Sequence, residues 1–349
     1  MSEENKLQKF ERLKKKDSQF IDKINSSWGY QDNRRRKNYM YVDSNNDFDT
    51  YNGPVDLLQW FNWLKNEFSE SFIGKEHLDP LIEKMEKIDR QILSDLGLKY
   101  EEDYYHNIGV NSASDYLFQN AYLVPERRVV KNILDFGAGY GRQALIWSQN
   151  PEILYCGIDA ITKSYLLQNL YYSKLKCPFY DYMDDSDNFK IDQNKRGIYH
   201  LPTWRFDLIE NESFDLVSCV QVLNELSFSL TVRVLKEFNR ILKPGGALYI
   251  RDHENHKMVH GKSIDMLLLK NGFVLEYRLH VSDAIDCHGI PRIWRKIDPE
   301  VVANNTKLHK LSFVQIIANS ILIQRYFLPI VRSLKIYDNI RSVFRKMLK

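Results

Sequence analysis

Two groups of residues in this sequence are spaced for chemistry. The first is Asp135-Phe-Gly-Ala-Gly-Tyr-Gly141, followed about 20 residues later by Asp159. A glycine turn after a strand lets the backbone come close to a ligand, and the helix that follows aims its free N–H groups into the same space. A carboxylate at the end of the next strand can accept hydrogen bonds from a ribose diol. The second group is Asp252-His-Glu-Asn-His256, directly after an apolar run. Oxygen acceptors in group transfer need a base to take their proton. His253 is the first candidate, Asp252 the second and His256 the third.

The glycine order separates two kinds of cofactor. Dinucleotide sites read G-x-G-x-x-G, whereas Gly137-Ala138-Gly139-Tyr140-Gly141 reads G-x-G-x-G, with Asp135 two positions before the first glycine. A carboxylate there repels a pyrophosphate and attracts the amino group of a methionine moiety.

Alternating strand and helix patterns position both groups. Short apolar runs at 132–136, 153–159, 204–208, 214–220 and 247–251 read as strands, and the stretches 142–150, 162–175 and 229–242 between them as helices. Two further strand-like runs, 273–280 and 290–297, follow. Residues 180–197 read as an acidic loop. This alternation predicts an α/β fold, a doubly wound parallel sheet covered on both faces. Residues 1–115 read as a helical cap or substrate module, 116–300 as the cofactor-binding domain, and 301–349 as a helical tail. In that tail 330–349 is a basic amphipathic stretch, fit for peripheral membrane contact, for packing on the catalytic domain or for a homodimer contact.

The segment LDFGAGYGR resembles the first motif of class I (Rossmann-like) S-adenosylmethionine methyltransferases. Asp159 matches the acid that family carries after its second strand, Phe206-Asp-Leu208 its third-strand region, FDLVSCVQVLNEL its fourth-strand motif, and LKPGGALYI its turn and fifth strand. The resemblance implies a seven-stranded sheet with an antiparallel last strand, and S-adenosyl-L-methionine as cofactor. Asp135, Gly137, Ala138 and Gly139 would cradle its methionine and ribose parts, and Asp159 its ribose hydroxyls. Ala160 or Ile161 would line the adenine, Asp207 would meet the adenine amine, and Gln221 would border the methyl-transfer site.

Composition narrows the acceptor. A net charge of +3 over 349 residues provides no broad basic field, so nucleic acid is a minority reading. No Asn/Asp-Pro-Pro-Tyr follows the fourth strand. The four cysteines form no C-x-x-C pair, and Asp252, His253, Glu254, His256 and His260 lack the H-E-x-x-H spacing, so no metal is expected. Met1–Lys16 has no apolar stretch of the signal-peptide kind, so a cytoplasmic setting is expected, with the inner membrane face as its limit. The long helical N-terminal region and the GAGYGR form are similar to sugar O-methyltransferases of bacterial surface-glycan clusters. That similarity implies a sugar or other small-molecule acceptor. Methylation of protein or RNA, and a binding role without turnover, are the alternatives.

Overall fold

The structure, a computed structural model, describes residues 3–20, 50–64, 75–100, 102–123, 130–223, 226, 228–252, 264–278 and 289–297. The tail 330–349 and the stretch 253–263 lie outside the described residues.

One sheet organises the chain. Its strands are β1 (Asn132–Phe136), β2 (Leu154–Asp159), β3 (Phe179–Asp181), β4 (Gly197–Pro202), β5 (Phe214–Val220), β6 (Leu242–Asp252), β7 (Phe273–Arg278) and β8 (Ile290–Lys296). They run in the order β3-β4-β2-β1-β5-β6-β8-β7. The first six are mutually parallel, and β8 lies antiparallel between β6 and β7. Every residue of β1, β2 and β4 is buried, as expected of parallel strands with helices on both faces.

The sheet corrects the sequence reading at one place. The third long strand is Gly197–Pro202, inside and just after the stretch expected to be loop, and Thr203–Leu208 coils into a 3-10 turn instead of a strand. The strand opens on a glycine and closes on a proline, so it lacks the β-branched run by which strands are read. Pro202 occupies the last position of the ladder, opposite Asp159, where a missing N–H is tolerated. The short edge strand β3 brings the count to eight where seven were expected.

The helices are α1 (Glu3–Lys16), α2 (Asp56–Leu64), α3 (Lys75–Asp95), α4 (Glu102–Leu123), α5 (Arg142–Trp147), α6 (Thr162–Tyr172), α7 (Phe228–Ile241) and α8 (Ile264–Lys270). Alternate residues of β1 face two separate cores. Leu134 and Phe136 join α1, α7 and α8, whereas Ile133 joins α2, α3, α4 and α5. The N-terminal helices are thus divided between the two faces, and the expected boundary between residues 115 and 116 falls inside α4. Among the described residues no helix is long and apolar enough to cross a membrane.

Helix α4 joins the sheet through charge. Asn111, Ser112, Ser114, Asp115 and Gln119 are all fully buried, and Asp115 is the hub. Its carboxylate accepts from Arg142 at the start of α5, from Tyr249 Oη at 2.6 Å, and from Arg251 Nε at 2.9 Å and Nη2 at 3.0 Å. Burial pushes its pKa up, but Arg251 and Arg142 outweigh that and hold it below the usual carboxylate range. Asp115→Ala strands two buried guanidinium groups, so it should cost about 3–5 kcal/mol of unfolding free energy in a denaturant titration. A loss under about 1 kcal/mol would contradict this role.

Candidate active site

The carboxyl ends of β1, β2, β5 and β6 meet at one edge of the sheet, the place where open α/β sheets hold ligands. The chain leaves β1 at Phe136 and turns through Gly137–Gly141 into α5. Gly137 and Ala138 donate their N–H groups to the Ile158 carbonyl at 2.9 and 3.3 Å, which ties the turn to β2. Gly137 (φ 68°) and Gly139 (φ 63°) are left-handed. A Cβ on Gly137 would stand 2.4 Å from Val222 Cγ2, and one on Gly139 would stand 3.3 Å from the Trp60 ring. Gly137 therefore requires glycine on grounds of space as well as dihedral angle, and Gly139 favours it through its left-handed backbone, with the Trp60 ring in close contact.

Asp159 ends β2 beside this turn. Its Oδ1 accepts the Ile161 N–H at 3.0 Å, and its Oδ2 accepts Gln168 Nε2 at 3.3 Å. The same Gln168 nitrogen donates to the Gly139 carbonyl at 2.8 Å, so one side chain aligns turn and carboxylate. Burial raises the Asp159 pKa to about 7, against the lowering effect of the backbone N–H groups of Ile161, Ala160 and Gly139. Four donors thus face its two oxygens, and a ribose diol would compete with them, most readily with the long bond from Gln168 at 3.3 Å. Asp135, on β1, accepts Tyr155 Oη at 2.5 Å, and burial lifts its pKa to about 6.

The remaining candidates have clear positions. Ala160 follows Asp159 and is half-buried. Gln221 follows β5 with φ 58°, its N–H bonded to the Arg251 carbonyl at 3.0 Å. Asp207 sits in the 3-10 turn instead of at a strand end, and both its oxygens accept from Arg205 at 2.9 Å. Asp252 ends β6, fully buried, with a pKa raised by burial to about 6 against the pull of Arg292. It also receives the backbone N–H groups of Leu223 and Val222, and so helps hold Val222 against Gly137. His253 and His256 lie outside the described residues. Thus Asp135, the glycine turn, Asp159, Ala160, Gln221 and Asp252 gather at one edge, and Asp207 engages its own neighbour.

Several contributors escaped the sequence reading. Gln168 and Lys163 lie on α6 without any motif around them. Helix α2 also reaches the site. Phe61 packs on Tyr140 of the glycine turn at 5.1 Å between ring centroids, and Lys163 Nζ meets Gln59 Oε1 at 3.2 Å and Asp56 Oδ1 at 3.6 Å. Helix α2 falls within residues 1–115, read as a helical cap or substrate module with no contact to the glycine turn assigned to it.

The donor set suits an adenosyl cofactor with a methionine arm. It offers a cradle that a Cβ would fill, a carboxylate at the end of β2, and a second carboxylate at the root of the turn.

Residues 114–302 match the family described as a methyltransferase domain. No curated protein sequence matches the chain. Solved structures similar to it include a SAM-dependent methyltransferase from Methanosarcina mazei, at 18% identity over 49% of this chain and 94% of that one, TM-score 0.35. The N-methyltransferase NodS from Bradyrhizobium japonicum is 14% identical over 54% of this chain and 97% of its own, TM-score 0.37. An O-methyltransferase family protein from Burkholderia thailandensis is 12% identical over 70% of each chain, TM-score 0.35.

The raised acids make a pH prediction. Their folded pKa values exceed those of free carboxyls, so ionising Asp135 and Asp159 in the empty site costs stability as pH climbs toward 6 and 7. A diol and an ammonium both favour the ionised forms. Binding of S-adenosylhomocysteine should therefore tighten and release protons between about pH 5.5 and 7.5. Calorimetry in buffers of different ionisation enthalpy measures this. Affinity that is flat with pH, with no proton release, would contradict the assignment.

Proposed function

Because this chain belongs to the methyltransferase domain family and is an enzyme that uses S-adenosyl-L-methionine, we propose that it methylates a hydroxyl oxygen of a sugar or another small molecule. The observation that carries this reading is the packing of α2 on the glycine turn, with Trp60 beside Gly139 and Phe61 on Tyr140, which we read as a roof over the site. A roofed crevice suits an acceptor that can be enclosed, and disfavours one that must lie along an open surface.

Bound S-adenosylmethionine supplies an electrophilic methyl group. The chain must hold the acceptor oxygen in line with it and take up the hydroxyl proton as the new carbon–oxygen bond forms. Asp135, Gly137, Ala138 and Gly139 hold the methionine and ribose side, Asp159 the ribose hydroxyls, and Ala160 and Gln221 the flanks. The bonds that Asp252 makes to the loop after β5 support a positioning role, which leaves His253 as the preferred base and His256 behind it. Action on a surface-glycan precursor would fit a cytoplasmic enzyme working at the inner membrane face, with the basic stretch 330–349 available for membrane contact, for packing on the catalytic domain or for a homodimer contact.

Transfer of labelled methyl from S-adenosylmethionine to a panel of nucleotide sugars, free glycans, protein and RNA tests the acceptor class. Label should enter a small hydroxylated acceptor; label confined to protein or RNA would overturn the proposal. On the acceptor found, His253→Ala should cut turnover about 100-fold or more with unchanged cofactor affinity. Equal turnover would remove His253 from the base role.

A further inference from the structure

Trp60 belongs to a helix outside the matched residues 114–302, yet its ring is the nearest neighbour of the Gly139 Cα substituent, with Cζ3 at 3.3 Å and Cη2 at 3.4 Å from an ideal Cβ. Anything bound on that face of the turn shares its space with this indole. Helix α2 is held on both sides of Trp60. On one side the fully buried Phe61 packs against Tyr140 at 5.1 Å and Tyr100 at 5.2 Å. On the other, Lys163 reaches from α6, four residues beyond the ribose acid Asp159, to Gln59 at 3.2 Å and Asp56 at 3.6 Å. Lys163 is 2% exposed and Asp56 5%, so this is an ion pair shielded from water and salt. Asp56 is itself fixed by the Asn52 N–H at 2.7 Å.

A long cation is seldom buried unless it is paired. Here that pairing makes the first turn of α6 serve two purposes: it begins three residues after Asp159, and it carries the tether for α2. A ring at such a position has a further use, since the face of an indole attracts a sulfonium or ammonium charge.

Resting on the reading that the glycine turn and Asp159 hold S-adenosylmethionine, we infer that Trp60 is a cofactor-binding side chain, a wall of the pocket supplied by α2, and that Lys163 is the positioning residue that keeps it there through Asp56 and Gln59. The cofactor site is then completed by a segment far from the glycine motif in sequence.

The test is the affinity and release rate of S-adenosylhomocysteine and S-adenosylmethionine for the full chain and for Trp60→Ala, Trp60→Phe, Lys163→Met and Asp159→Ala. Circular dichroism melting checks that each variant folds. Trp60→Ala should weaken both ligands about tenfold and speed their release, Trp60→Phe should restore most of that loss, and Lys163→Met should speed release with a smaller change in affinity. Wild-type affinity and release in Trp60→Ala and Lys163→Met, with binding lost in Asp159→Ala, would overturn the inference and leave the cofactor site standing. Should Trp60→Ala not fold, Trp60→Phe and Lys163→Met decide: unchanged release in both overturns it. Wild-type binding in Asp159→Ala would overturn the underlying site and the inference with it.

Discussion

The backbone between β1 and α5 has to turn without side chains, and the site depends on that constraint. The N–H groups of Gly137 and Ala138 hang on the Ile158 carbonyl, and the Gly139 carbonyl is taken by Gln168. These bonds bring the turn next to Asp159, because Ile158 and Asp159 are consecutive. Val222 fills the space that a Cβ of Gly137 would need, and Trp60 closes on Gly139. The turn is thus the shared floor on which strands β1 and β2, the loop after β5 and helix α2 converge.

Around that floor, charge is buried in alternating order. Arg142 sits between Asp115 and Asp135, and Asp115 between Arg142 and Arg251. Such a row is weak evidence for added stability, because desolvation opposes the Coulomb gain. It does give each guanidinium one place to sit, and it binds α4, α5 and β6 into a single frame. Asp115, paired with Arg251 and Arg142, and Asp181, beside His200 and hydrogen-bonded by Asn169 and Tyr165, are held below the usual carboxylate range, whereas Asp135, Asp159 and Asp252 at the ligand edge are raised. The edge of the sheet where a cofactor and acceptor would dock is therefore also where carboxylates titrate near neutrality.

Much of this was legible in the sequence. The glycine spacing, the acid at 159 and the order of strand-like runs led to a doubly wound sheet and a nucleotide-like cofactor, because buried parallel strands and left-handed glycines leave a local imprint, and the resemblance of four ordered motifs to class I methyltransferases implied the methyl donor. What did not show was set by contacts distant in the chain. Strand β4 was hidden between Gly197 and Pro202, which displaced the expected third strand onto Thr203–Leu208 and put Asp207 at a strand end, when its carboxylate in fact pairs with Arg205. The roles of Gln168, Lys163, Asp115 and Trp60 come from partners 29, 104, 136 and about 80 residues away, beyond the reach of any local pattern. The N-terminal helices read as a separate module because their apolar stripes are clear, but a stripe does not say which surface it covers, and here α1 and α2–α4 cover opposite faces of one sheet.

The central claim is that the turn at Gly137–Gly141 and Asp159 together hold S-adenosylmethionine. Calorimetric titration of the wild-type chain and of Asp159→Ala with S-adenosylmethionine tests it most directly. Saturable binding at one site, weakened at least about tenfold in Asp159→Ala by loss of charge-assisted hydrogen bonds, is the expected result. Equal binding by the two proteins would contradict the account.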